Sequence, residues 1–172
     1  AIPPVGEPAK YLVYVDGNAA ADHAATDAFR MMNEGDEVCF MHVHQGEADG
    51  TAESLLASWW PSVIKGRFEA MIQKEGVNGS VVLVQMQKKH VYSLAVPLEL
   101  QKTAGEMKAD FIVLAADLVG SYHYSEGLKV EPNTDTSKSI SDRVVRQSDQ
   151  TVVVTYASQT VAEQILEESR GD

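Results

Sequence analysis

At 172 residues, 44% of them hydrophobic and 23% charged, the chain has the size of one domain that buries roughly two thirds of its unfolded surface. No apolar run approaches the ~20 residues of a membrane span. A formal net charge of −11 excludes a broad phosphate-backbone surface, because non-specific nucleic-acid binding is mostly neutralisation by Lys and Arg. Neither nucleic acid nor membrane is expected as a partner.

Residues 1–9, AIPPVGEPA, carry prolines and no charged n-region followed by an apolar stretch, so they read as an irregular arm and the setting as cytoplasmic. KYLVYVDG then predicts a first strand, and Ala21, Ala24, Ala25, Ala28, Phe29 and Met32 follow at helical spacing. Asn18 stands where a side chain caps that helix, and Gly35 where a left-handed residue ends it. DEVCFMHVHQG predicts a second, buried strand, which holds the single cysteine, Cys39, as an inert thiol.

Leu55, Leu56, Trp59, Trp60, Val63, Ile64, Phe68, Met71 and Ile72 describe a wide apolar helical stripe. Pro61 lacks an N–H and either kinks this helix or begins a second piece after Trp60. GSVVLVQMQ is a third strand, and Asn78 before it reads as a turn between helix and strand rather than a glycosylation site. VYSLAVPLELQKTAGEMK predicts a helix interrupted at Pro97, and ADFIVLAA a fourth strand apolar on both faces. Asp117 to Thr136 is an irregular connection longer than the roughly 12 to 15 residues usual in a compact domain. SISDRVVRQS predicts a short helix, QTVVVTYA a fifth strand and TVAEQILEESR a tail helix, in which Thr160 and Glu163 have capping-box spacing.

Strands alternating with helices, most strands apolar on both faces, imply an α/β, doubly wound three-layer sandwich with a five-stranded, mostly parallel sheet. Residues 10–157 form its domain and 158–172 a helical tail. In such sheets ligands bind beyond the carboxyl ends of the strands where strand order reverses, so the loops after strands one and four come first. Asp16 lies on one of these loops, and Ala115 opens the other.

YLVYVDGNAAADHAATDAF, DEVCFMHVHQG, KADFIVLAA and SKSISDRVVRQSDQTVVVTY, in this order and spacing, resemble the universal stress protein family. The resemblance covers about Lys10 to Tyr156 and implies strand order 3-2-1-4-5, the fold of the adenine nucleotide alpha hydrolase-like proteins. It also implies a homodimer joined through strand 151–157, whose unpaired apolar edge invites pairing. Nucleotide-binding members carry Gly-x-x-Gly, a spacer of about nine residues, and Gly-Ser or Gly-Thr, which bring backbone amides and a hydroxyl to the phosphates. Here Ala115, Leu118 and Lys138 replace the three glycines, Ser139 keeps the hydroxyl, and the spacer is about ten residues longer.

If the resemblance extends to ligand, Val15 and Asp16 lie beside the adenosine, Val43 offers its backbone to the base, and Ala115, Lys138 and Ser139 lie by the phosphates of ATP or AMP. Each has a plainer reading. Asp16 in DGN is a turn residue, Val43 a buried strand valine, and Ser139 in SISD the cap of its own helix. Lys129, Lys138 and Arg143 bring positive charge near a phosphate, or simply flank a solvated helix start. His42 and His44 share a strand face as a metal pair would, with no third ligand evident.

No nucleophile, base and orienting group can be assembled, so no catalytic residue and no metal site are expected. The first expectation is therefore a universal-stress-like domain acting in stress response or signalling through dimerisation or partner binding, with the glycine motif lost and no cofactor. The alternative is an ATP- or AMP-binding protein, or slow hydrolase, with a rebuilt phosphate loop. A flavin-associated or adenylate-transferring relative of the same architecture is a weaker third.

Overall fold

The computed structural model describes residues 2–44, 60–86, 92–116 and 140–155. Within them the chain forms β1 (Lys10–Tyr14), α1 (Ala20–Met31), β2 (Glu37–His44), α2 (Pro61–Glu75), β3 (Asn78–Gln85), α3 (Tyr92–Met107), β4 (Phe111–Ala115), α4 (Ile140–Gln147) and β5 (Thr151–Thr155). All neighbouring strands pair in parallel, in the order β3-β2-β1-β4-β5. The order and the doubly wound α/β layering are those expected.

Period-two alternation sends each strand's residues to two separate cores. Val13, Phe40 and Val113 pack with Ala21, Ala24 and Ala28 of α1 and Ile64 and Phe68 of α2. Leu12, Met41 and Ile112 pack on the other face with Val96 and Leu100 of α3 and Val144 of α4. This division follows from right-handed crossovers: connections moving one way along the sheet lay their helices on one face, and those moving back use the other. Phe40 anchors the first core, with Phe29 edge-on at 5.6 Å and Phe68 stacked at 5.2 Å between ring centres. Such pairs each contribute about 0.5–1.5 kcal/mol beyond burial.

Four local expectations are corrected. Asn18 does not cap α1 with its side chain; Ala19 occupies the N-cap, and Asn18 offers its backbone carbonyl to the Ala21 amide at 3.1 Å. Its side-chain amide turns back to Asp16 instead. Gly35, at φ +91°, turns the chain before β2 rather than ending α1, which stops at an extended Met32. Helix α3 runs through Pro97 without a break, because a proline near the start of a long helix forfeits a single backbone bond. Asn78 opens β3, and the turn before it is made by Gly76 in the left-handed conformation.

Pro61 stands at the first turn of α2, where a missing N–H costs nothing, so the helix begins after Trp60. The apolar positions Leu55, Leu56 and Trp59 lie outside the described residues. Helix α3 ends in a Schellman motif: the Ala109 amide bonds the Ala104 carbonyl at 2.9 Å and the Lys108 amide the Gly105 carbonyl at 3.3 Å. Its left-handed residue is Lys108, at φ +54°, where glycine is usual.

The amino end of the sheet is tied by carboxylates. Asp36, buried before β2, accepts the Ala9 and Asn33 amides, each at 2.8 Å. Asp110 accepts the Lys10 amide at 2.9 Å. Tyr11 stacks on Phe111 at 5.0 Å and donates its hydroxyl to the Met31 carbonyl. Burial, then the nearby Asp36 and Asp110, raise the Tyr11 phenol above its ordinary pKa.

Candidate functional site

Strands β1 and β4 are neighbours, and the next described helix after each, α1 after β1 and α4 after β4, packs on opposite faces of the sheet. A crevice between their carboxyl ends is therefore the place where a ligand meets backbone from several strands at once. Extending the registers Val13↔Val113 and Tyr14↔Met41 sets Val15 level with Ala115 and with His42, while Ala115 pairs with Thr155. Four of the predicted residues, Val15, Asp16, Val43 and Ala115, thus lie at one end of the sheet. Lys138 and Ser139 lie outside the described residues, as do Leu118, Lys129, the Asp117 to Thr136 connection and the tail.

Val15 is fully buried, with its side chain in the α1 and α2 core. Its amide donates to the Met41 carbonyl at 2.9 Å, and its own carbonyl accepts from His42 Nδ1 at 2.9 Å. A carbonyl can only accept, so the bond fixes His42 in the tautomer with hydrogen on Nδ1 and an acceptor lone pair on Nε2. The ring is 2% exposed. Burial, partly offset by the Val15 bond and reinforced by the neighbouring His44, lowers its pKa to about 4. His42 is therefore a neutral brace between β2 and the end of β1.

Val43 is the next outward step on β2. Glu37 bonds Ala9 and Met41 bonds Val15, whereas His44 bonds Met86 beyond β3. Odd residues of β2 thus direct their backbone polar groups toward β1, and even residues toward β3. Val43 follows in the odd series, past the last β1–β2 pair at Tyr14↔Met41. Its N–H and C=O consequently face the crevice, while its side chain fills the α3 and α4 core.

Asp16 takes up the turn reading. Its Oδ1 accepts the Asn18 amide at 2.8 Å and its Oδ2 is 3.5 Å from the Asn18 side-chain nitrogen. An acidic side chain that closes a turn on its own backbone shapes the loop leading into α1. Ala115 is half-buried, and after it the Ala116 amide donates to the Thr155 carbonyl at 2.8 Å. That amide extends the sheet at the position where a phosphate loop would begin.

Two residues of this end escaped sequence reasoning. The sequence offers His42 only as half of a metal pair, although a histidine closing the apolar run VCFM and followed by Val43 signals a buried partner. Its ring lies 6.4 Å from that of His44 and nearly parallel to it, and no group of three or more His, Cys, Asp or Glu suited to a metal occurs among the described residues. Thr155, 6% exposed, ends an apolar run, and its hydroxyl is buried without a hydrogen-bond partner among the described residues. Among the described residues no helix is long and apolar enough to cross a membrane.

No family model and no curated protein matches the sequence. Solved structures do match. Universal stress protein UspA from Lactobacillus plantarum is 19% identical, with 87% of this chain and 98% of that chain covered at a TM-score of 0.57. A universal stress protein in complex with cAMP is 15% identical over 87% of this chain and 98% of its own, at 0.56. A universal stress protein family protein from Arabidopsis thaliana with AMP bound is 12% identical over 89% and 94%, also at 0.56. The likeness is one of architecture: a five-stranded parallel sheet in the order 3-2-1-4-5, covered on both faces by helices, gives this chain the universal stress protein fold.

Proposed function

We propose that this is a universal-stress-type domain that acts in stress response or signalling by pairing with itself or with a partner, and that the family's glycine phosphate motif no longer operates in it. The observation that carries this reading is the Ala116 amide. It is engaged by the Thr155 carbonyl at 2.8 Å, so the strand pairing runs on where a phosphate loop would turn its amides to a ligand. Ala115 adds a Cβ at the first glycine position, and any residue with a Cβ resists positive φ by about 1 kcal/mol or more.

Self-pairing through residues 151–157 belongs to the same proposal. Val152, Val153 and Val154 of β5 are all half-exposed at a sheet edge, and a two-fold partner strand covers such an edge. A cytoplasmic setting belongs to it too, supported by the single cysteine and its burial. Sedimentation at high micromolar concentration should show a dimer, and a Val153→Asp variant should be monomeric. A monomeric parent protein refutes the pairing.

A second reading, adenine-nucleotide binding through a rebuilt loop, is favoured by the backbone of Val43 facing the crevice and by architectural relatives that hold AMP and cAMP. Denaturing the purified protein and analysing the supernatant for released nucleotide, followed by calorimetry with ATP and AMP, decides it. No released nucleotide and no heat at millimolar ligand removes this reading and leaves the first intact.

A further inference from the structure

The other edge of the sheet has a different character. Strand β3 runs for eight residues, NGSVVLVQ, with no charged side chain and no proline to blunt it. It is the outermost strand beside β2. The Met86 amide bonds the His44 carbonyl, so even positions of β3 direct their backbone groups to β2. Gly79, Val81, Leu83 and Gln85 therefore present their N–H and C=O groups outward along a ready-made template for another strand.

On the face that carries α3, the even side chains of this strand border a groove of about 470 Å³. Its floor is Cys39, Ser80, Val82 and Val84, and Val82 is 37% exposed. Its wall is α3, which contributes Glu99, Lys102, Thr103 and Glu106, with Glu37 of β2 also lining it. Among the described residues, three carboxylates against one ammonium make the rim acidic over an apolar floor, on a chain whose net charge is already −11. A second copy of this chain would bring like charge to the rim. A lysine or arginine side chain would instead lay its aliphatic stem on Val82 and Val84 and place its charge at the glutamates.

We propose that the β3 edge and the groove beside α3 together form a docking site for an extended, lysine- or arginine-bearing segment of a partner protein, added to the sheet as a sixth strand. Backbone pairing along the outward positions supplies the attachment, and alternate side chains in the acidic groove supply the selectivity. This site stands apart from the β5 pairing and from the crevice, so its failure leaves both of those readings untouched.

Fluorescence polarisation with labelled peptides of about ten residues tests it. One probe alternates valine with lysine and the other valine with glutamate, at low and high salt. The lysine peptide should bind at low salt and weaken as salt rises, and the glutamate peptide should not bind. Leu83→Pro removes an outward N–H without touching the β2 ladder and should abolish binding while leaving the charge unchanged. The double variant Glu99→Lys, Glu106→Lys, on exposed and half-exposed helix positions, should weaken the lysine peptide about tenfold and admit the glutamate peptide.

No binding of the lysine peptide at about 1 mM overturns the proposal, as does equal binding of both peptides. Full binding to a Leu83→Pro protein of native circular dichroism shows mere charge attraction and overturns it as well. If Leu83→Pro does not fold, the double variant decides alone. Self-association that depends on Leu83 would make a second copy the occupant and refute the basic partner.

Discussion

The buried brace at His42 makes folding stability depend on pH within a defined window. The ring is 2% exposed, donates Nδ1–H to the Val15 carbonyl at 2.9 Å and has its pKa lowered by burial to about 4. In the unfolded chain the same group titrates near 6.5. Above pH 6.5 both states are neutral there and His42 adds no pH dependence. Between pH 6.5 and 4 only the unfolded state takes up the proton, so stability falls with pH at up to about 1.36 kcal/mol per unit. Over the whole window His42 removes about 3 kcal/mol, a large part of the 5–15 kcal/mol typical of a domain.

The measurement is urea unfolding at several pH values between 7.5 and 4, for the parent protein and for His42→Asn. Asparagine keeps an amide donor within reach of Val15 and does not titrate, at a pH-independent cost of about 1–2 kcal/mol from poorer packing. Carboxylates titrating in the same range contribute equally to both proteins and cancel in the difference. The parent's advantage should therefore shrink and reverse as pH falls, by about 3 kcal/mol in total. Curves that stay parallel within about 0.5 kcal/mol would refute the burial of a neutral imidazole.

Lys108→Gly should stabilise the protein by about 1 kcal/mol, because it relieves a side chain held at φ +54° while keeping both Schellman bonds. For a chain of this length that is a rise in Tm of about 2–4 °C by calorimetry; no rise means the backbone there is not left-handed. Thr155→Val keeps the shape of the side chain and removes a buried hydroxyl that has no partner among the described residues, so stability should be unchanged or higher by about 1 kcal/mol. A loss of more than about 1 kcal/mol in urea would reveal a bond made by that hydroxyl. Burial raises the Cys39 thiol above its ordinary pKa, so a thiol reagent at pH 8 should label the native protein slowly and the unfolded protein at once. Equal labelling rates would show that Cys39 is open to solvent.

The architecture was legible because it rests on local pattern. Each strand is an apolar run such as FIVLA or EVCFMHV, and two-faced burial of those runs already implied a parallel sheet between helix layers. The start of α2 was legible in Trp60-Pro61 for the same reason, since proline suits a first turn. The candidate site was legible only as an address. Asp16 and Val43 fell at the expected end of the sheet, and DGN offered Asp16 as a turn residue, but that His42 would turn to Val15 was hidden. The His42 bond joins residues 27 apart and the Asp110 bond residues 100 apart, and no periodicity encodes a partner at such distance. Lys108 escaped notice because a helix end written without glycine gives no signal of its left-handed turn.

The carboxylates at the opposite end of the sheet determine where this domain tolerates cutting and joining. Asp36 holds the Ala9 amide, the Ala9 carbonyl receives the Glu37 amide, and Asp110 holds the Lys10 amide. The first residue held by these ties is thus Ala9, and among the described residues the exposed Val5 and Gly6, which lie in the turn closed by the Glu7 amide on the Pro4 carbonyl, take no part in them. A tag, a surface tether or a fused reporter joined ahead of Pro8 leaves every one of these ties in place. The same attachment sits at the far end of the strands from the crevice, so a probe mounted there leaves the crevice clear, although Glu37 beside Ala9 sets it close to the groove along α3.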